Sequence, residues 1–274
     1  MKNIVITGST RGIGFEMAKE FLKRGCNVTL SGRSETLHED KRAELVDFSK
    51  QYIYVSCNVQ KMEDVQNLWK CSKKHWGEID IWINNSGQNV PFEKCYNTDK
   101  RYVDQVITTN IMGMIYGSQV ASKGMLHQKK GAIYSMEGLG SNNMIQEKTV
   151  LYGTTKHALT YFMKGLAKEL EGTGVIAGRL SPGMMLTDFI TQTPDGNTPA
   201  IKSEESFRKI FNILADYPET VAKFLVPKML FNTKNNAHFE WLTNTKMMIR
   251  FMIAPFTKRK IFNDENKSAL RSNL

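Results

Sequence analysis

Tyr152 and Lys156 lie four residues apart in Tyr152-Gly-Thr-Thr-Lys156, at the head of a run over residues 157–168 with helical periodicity. On a helix two such side chains share one face, about one turn apart. An ammonium beside a phenol favours the phenolate and draws the tyrosine towards neutrality. That suits a proton donor to a carbonyl under reduction. An exposed helical surface also carries such pairs by chance, so the chemistry depends on what else the chain delivers to them.

A second constellation opens the chain. The turn Gly8-Ser9-Thr10-Arg11-Gly12-Ile13-Gly14 lies between a β-branched run over residues 2–7 and a helical run over 15–24 that stops at Gly25. Three glycines let the backbone approach a pyrophosphate, whose charge meets the amides and dipole of the helix N-terminus. The spacing is T-G-x-x-x-G-x-G rather than G-x-G-x-x-G, and its place between strand and helix supports the reading. A second strand over 27–31 ends at Gly32, where an acidic residue would hold the ribose 2′-hydroxyl of NAD. Arg33, followed by Ser34, can pair with a 2′-phosphate instead, with Arg11 helping. NADPH is therefore expected rather than NADH; the alternative is two surface arginines.

Further strands are expected over 52–56, 79–83, 131–136, 174–180 and 238–242, with helices over 35–50, 62–76, 100–124 and 218–231. This alternation predicts a doubly wound parallel sheet, an α/β Rossmann fold in a single domain. Ligands bind outside the carboxyl ends of such strands, where Asn58-Val59 and the turn Asn84-Asn85-Ser86-Gly87 fall. Asn110, inside the helical stretch, needs polar partners if buried.

Hydrophobic content of 41% and charged content of 23% are those of an ordinary folded domain. The four cysteines are widely spaced and the five histidines form no cluster at ligand spacing, so no metal site is expected. Neither a signal peptide nor a membrane-spanning run is read, and free thiols point to a reducing, cytoplasmic setting. The net charge of +10 gathers late, at Lys246, Arg250, Lys258, Arg259, Lys260, Lys267 and Arg271. No nucleic-acid-binding motif accompanies it, so nucleic acid is not expected as a partner.

Taken in order, Thr7-Gly8-x-x-x-Gly12-x-Gly14, Asn84-Asn85-x-Gly87, Asn110, Tyr152-x-x-x-Lys156 and Pro182-Gly183 resemble the short-chain dehydrogenase/reductase family over about residues 1–230. That resemblance implies Tyr152 as catalytic acid, Lys156 as holder of the nicotinamide ribose and tuner of the phenol, and Asn110 as anchor of a relay water. It also implies that residues 84–87 brace the sheet and cofactor, Asn58 and Val59 flank the adenine, and Pro182, Gly183 and Thr187 meet the nicotinamide side. The family's usual serine before the tyrosine is missing, for Gly138-Leu139 stands there. Loss of one oxyanion donor typically costs about 2.7–4 kcal/mol in the transition state. Ser141, or a backbone amide of the loop, is the expected substitute. The loop Met136-Glu-Gly-Leu-Gly-Ser141, with Leu180-Ser-Pro-Gly-Met184 and the tail around Trp241 and residues 253–262, is similar to the chlorophyll b reductase branch. That branch reduces the 7-formyl group of a chlorin with NADPH.

The catalytic domain is expected over 1–242, with a lid at about 188–216 walled by Met184, Met185, Phe189 and Ile190. Residues 243–274 form a basic amphipathic helical extension, read as packing on its own domain or a second subunit, or else lying on a lipid surface. The family resemblance implies a homo-oligomer, and the apolar lid a small hydrophobic carbonyl substrate. A competing reading is an NADP(H)-binding scaffold or sensor that lost catalysis with the serine. A third, a basic membrane or nucleic-acid adaptor, predicts salt-sensitive binding without NADPH.

Overall fold

The run Asn-Ile-Val-Ile forms β1 (Asn3–Ile6), wholly buried as a parallel strand covered on both faces must be. The chain continues through α1 (Gly12–Lys23), β2 (Asn27–Gly32), α2 (Glu39–Ala43), β3 (Tyr52–Ser56), α3 (Met62–Trp76) and β4 (Ile81–Asn84). Next come α4 (Lys100–Ile107), α5 (Gly113–Gln128), β5 (Gly131–Met136), α6 (Val150–Glu169) and β6 (Val175–Ser181). It closes with α7 (Asp188–Thr191), α8 (Glu205–Leu214), α9 (Pro218–Phe231), β7 (Ala237–Glu240) and α10 (Asn244–Ile253). The computed structural model describes residues 1–196, 204–257 and 259–262. Parts of the expected lid and extension, residues 197–203, 258 and 263–274, lie outside that description.

The seven strands form one parallel sheet in the order β3-β2-β1-β4-β5-β6-β7. The winding reverses between β1 and β4, which opens a crevice at their carboxyl ends. One apolar layer joins α1 and α9 to the sheet through Phe15, Phe21, Leu225 and Val226. The other joins α3, α5 and α6 through Leu68, Trp69, Met125, Leu159 and Met163.

Two expected elements come out differently. The helix over 35–50 reduces to α2 and one 3₁₀ turn (Val46–Phe48). Leu37 and Leu45 are its fully buried apolar anchors, while Val46 is exposed, so no continuous apolar stripe supports a long helix. The helix over 100–124 is divided by a π-helical turn (Thr108–Met112) and runs on to Gln128. β4 begins two residues later than expected because the Gln128 carboxamide, not a neighbouring strand, satisfies Ile79: its oxygen accepts from the Ile79 amide at 3.2 Å and its nitrogen donates to the Ile79 carbonyl at 3.0 Å. Other boundaries shift by one to three residues, the largest being α1, which starts at Gly12 rather than Phe15. No helix among the described residues is long and apolar enough to cross a membrane.

Candidate active site

At the crevice the glycine turn is tied to the end of β4. Thr7 Oγ1 accepts from the amides of Asn85 (3.0 Å) and Ser86 (3.1 Å), and Asn85 Nδ2 donates to the carbonyls of Thr7 and Gly8. Gly8 has φ +61°, and a Cβ there would meet Ser86 Oγ at 2.7 Å; a Cβ on Gly14 would meet Asn85 Nδ2 at 2.4 Å. Ser9 is buried, donating to the Ile6 carbonyl and accepting from the Ser31 amide, so it staples the turn to β2. α1 has no side-chain cap and no acid in its first turn. Its first amides and its dipole therefore remain available to an anion.

The end of β2 is sterically closed to a side chain, since a Cβ on Gly32 would lie 2.6 Å from Thr10 Cγ2. Arg33 and Ser34 follow, both exposed, with the Ser34 carbonyl accepting from the Tyr54 hydroxyl at 2.7 Å. Asn58 Oδ1 accepts from the Gln60 amide, and Val59 is buried where a Cβ on Gly113 would strike it. Asn84 fixes the layer beneath: it accepts from Trp82 Nε1 and donates to Ser118 and Ser135. Ser135, three residues before Gly138, is thereby buried in the sheet.

Along α6, Tyr152 is half-buried and Lys156 is 5% exposed. Lys156 Nζ lies 5.7 Å from the Tyr152 ring centre and donates to the Met136 carbonyl at 2.8 Å. Burial pushes the Tyr152 phenol up. It lowers Lys156 to about 8, against the opposing pull of Glu137. The downward shift of the phenol expected from the ammonium is not found; burial alone acts on it, and upward. Asn110, 2% exposed, sits in the π-helical turn and donates to the Gln88 carbonyl and Thr155 Oγ1, each at 3.0 Å, while accepting from the Gln88 amide. The extra backbone residue of such a turn re-aims side chains, which is why π turns mark functional sites. A Cβ on Gly87 would be 3.7 Å from Asn110 Oδ1 and 3.8 Å from Lys156 Nζ, so the three residues meet.

The loop after β5 lies on the phenol. A Cβ on Gly138 would be 2.3 Å from the Tyr152 hydroxyl oxygen. Ser141 Oγ accepts from the Gly138 amide (3.3 Å) and donates to the Lys156 carbonyl (3.2 Å), pinning this loop to α6. Glu137, 5% exposed, escaped the sequence reading. Its carboxylate accepts from Thr160 and His238 and pairs with Arg179 at 3.5 Å. Burial alone would raise this carboxyl, but His238, Arg179 and Thr160 hold it below the usual carboxylate range. The available signal was an acid flush with a strand end, too weak to use alone.

On the open side, Gly183 (φ +70°) packs against Leu242, and Thr187 begins α7 with its methyl group facing Gly12. Arg11 pairs with Asp188 at 3.6 Å. The Phe189 ring stands 5.2 Å from that of Tyr152, and Asn89 Nδ2 donates to the Phe189 carbonyl. Contacts thus link the glycine turn to Thr187, Gly87 to Asn110 and Lys156, and Tyr152 to Phe189 at the carboxyl ends of the strands, with Pro182 and Gly183 just after β6 and Arg33, Ser34, Asn58 and Val59 beyond the ends of β2 and β3. No cluster of metal-ligating side chains occurs among the described residues.

Residues 2–198 match the model of the short chain dehydrogenase family. A rice (Oryza sativa subsp. japonica) protein named probable chlorophyll(ide) b reductase NYC1, chloroplastic, is 32% identical over 97% of this chain and 55% of its own length. The rice chlorophyll(ide) b reductase NOL, chloroplastic, is 35% identical over 83% of this chain and 66% of its own. The chain thus spans between about half and two thirds of the length of these relatives. Among solved structures, ElxO with NADP bound aligns at TM-score 0.75 and 24% identity, covering 90% of this chain and 99% of that one. A 3-ketoacyl-(acyl-carrier-protein) reductase from Brucella melitensis complexed with NADH aligns at TM-score 0.75 and 18% identity, over 89% and 98%. These two likenesses concern the fold.

Proposed function

Because the chain belongs to the short-chain dehydrogenase/reductase family, we propose that it is an NADPH-dependent reductase of aldehydes or ketones on hydrophobic molecules, with a formyl chlorin of the chlorophyll b kind as the leading candidate substrate. The observation that carries this reading is the convergence of a phenol, a buried ammonium and a buried carboxamide beside a glycine turn whose helix amides are uncapped. Relatives named chlorophyll(ide) b reductases, 32% and 35% identical, support the substrate class.

A dinucleotide fits the residues present. The cradle at Gly8, Gly12 and Gly14 has no room for side chains at Gly8 and Gly14, and exposed Arg33 beside a side-chain-free Gly32 favours a 2′-phosphate. The bound nucleotide would supply the hydride. Ser9, Thr10, Arg11 and Ile13 would complete the pyrophosphate side, Asn58 and Val59 the adenine side, and Asn85, Ser86, Gly87, Pro182, Gly183 and Thr187 the nicotinamide side. Tyr152 then donates its proton to the carbonyl oxygen. Lys156, held between Met136 and the Glu137 field, keeps positive charge next to the phenol as its proton leaves. Asn110 is locked by Gln88 and Thr155 at the inner end of this path. Gly138, lacking a side chain, lets the phenolic oxygen lie against the loop, and Ser141 holds that loop to α6. Four free cysteines support a reducing, cytoplasmic setting.

The test is NADPH absorbance followed across a panel of aliphatic and aromatic aldehydes, ketones and a formyl chlorin. Decay with hydrophobic carbonyls, and slower decay with NADH, is expected. Tight NADPH binding without turnover of any panel member would instead establish the scaffold reading that the missing serine allows.

A further inference from the structure

The segment beyond β7 turns back onto the lid. Asp216, 7% exposed, follows α8 and accepts from Trp241 Nε1, Arg250 Nη2 and Arg259 Nη2, each at 2.7 Å. Its backbone bridges the chain after Pro182-Gly183, accepting from the Leu186 amide (3.1 Å) and donating to the Met184 carbonyl (3.0 Å). The same arginines close the end of α8: Arg250 donates to the Leu214 carbonyl, and Arg259 to the carbonyls of Ile213 and Ala215. These are the acceptors a helix C-terminus leaves unpaired, and cations belong there. One step further, Asn212 clasps Phe262, accepting from its amide at 2.7 Å and donating to its carbonyl at 3.4 Å. Ile261 and Phe262 then pack with Phe211 and Ala215, against Leu186 and Ile190. Ile190 is the neighbour of Phe189, whose ring faces Tyr152.

We propose that the C-terminal extension is a clasp that sets the substrate lid against Tyr152, with Asp216 and Arg259 as positioning residues for the carbonyl substrate. This rests on the reductase reading of the site. The clasp grips residues 184–190 and 207–216, and Phe189 in the first of these stretches faces the phenol. None of the clasp's own hydrogen bonds reaches the glycine turn or the end of β2, which receive the nucleotide, although Thr187 and Asp188, inside the gripped stretch, touch Gly12 and Arg11. Loss of the clasp therefore loosens the substrate side and leaves β1 and β2 in place.

The direct test replaces Arg259 by Gln in the full chain and follows hydrogen exchange with NADPH present. The variant is expected to exchange faster over residues 184–190 and 205–216 and unchanged over β1 and β2, residues 3–6 and 27–32. KM for the fastest-reduced aldehyde of the panel should rise about tenfold, with kcat and NADPH affinity held. Arg259→Lys, which keeps the charge but loses the fork, should recover part of the effect. Asp216→Asn should act in the same direction more strongly. If Asp216→Asn fails to fold, Arg259→Gln decides alone. Unchanged exchange over the lid, or faster exchange everywhere with weakened NADPH binding, overturns the clasp. Wild-type protein that turns over no carbonyl overturns the reductase reading instead, while the exchange comparison still judges the clasp.

Discussion

A methyl group on residue 138 would stand 2.3 Å from the Tyr152 hydroxyl oxygen, so glycine there is a condition of the phenol's position. Gly138→Ala is expected to displace the phenol and lower kcat by about 100-fold while NADPH affinity is kept. Steady-state kinetics with a nucleotide titration check this, and an unimpaired variant would show that the phenol has another place to sit. Lys156 makes a second prediction. Burial brings it down to about 8 against the pull of Glu137, so its charge is present below that pH and lost as pH rises through it. The kcat/KM of the free enzyme should fall above about pH 8. Glu137→Gln removes the opposing carboxylate and should move that fall to lower pH; an unmoved or higher midpoint contradicts the account.

The same substitution tests stability. Glu137 is held below its ordinary range by His238 and Arg179 once burial is overcome, so its contribution is present above the carboxylate's unfolded pKa and lost as pH falls through the folded one. Glu137→Gln should cost about 3–5 kcal/mol near neutrality, by leaving Arg179 and His238 without their carboxylate, and less in acid. Denaturant titrations at several pH values measure both. Tyr152 and Lys156 were legible because a four-residue spacing on one helix is local information. Glu137 was not, because Thr160, Arg179 and His238 reach it from α6, β6 and β7.

Among the elements, the start of α1 and the end of β2 are where the proposed choice of NADPH over NADH would be made. Gly32 has no room for a side chain beside Thr10, so in the proposed reading charge discrimination falls to Arg33 on the open edge. Arg33→Ser should weaken NADPH by about tenfold or more and leave NADH nearly unchanged. Fluorescence titration with both nucleotides decides it, and equal effects on the two would place the phosphate elsewhere. The expected spans of α3, β5 and α9 coincide with the observed Met62–Trp76, Gly131–Met136 and Pro218–Phe231. Each has an unbroken periodicity between clear stops. The π-helical turn at Asn110 left no such trace, because it exists to satisfy Gln88 and Thr155, contacts that form once the chain has folded. The helix over 35–50 failed for the converse reason, with local propensity present and no surface to receive it.

At the scale of the molecule, the parallel sheet brings a turn at residues 8–14, a strand end at 84–87 and a helix at 150–169 to one crevice. The doubly wound parallel class was readable from alternation alone, while the strand order was not. How the basic extension closes on residues 205–216 was not, since Asp216 draws Trp241, Arg250 and Arg259 together from different elements. The central claim is that Tyr152 is the proton donor at a nucleotide site that exists without it. Single-turnover hydride transfer by Tyr152→Phe, measured beside its NADPH affinity, tests that most directly. Transfer should slow by about 100-fold or more, with NADPH bound as tightly as by the native chain. Transfer at the native rate would contradict that claim.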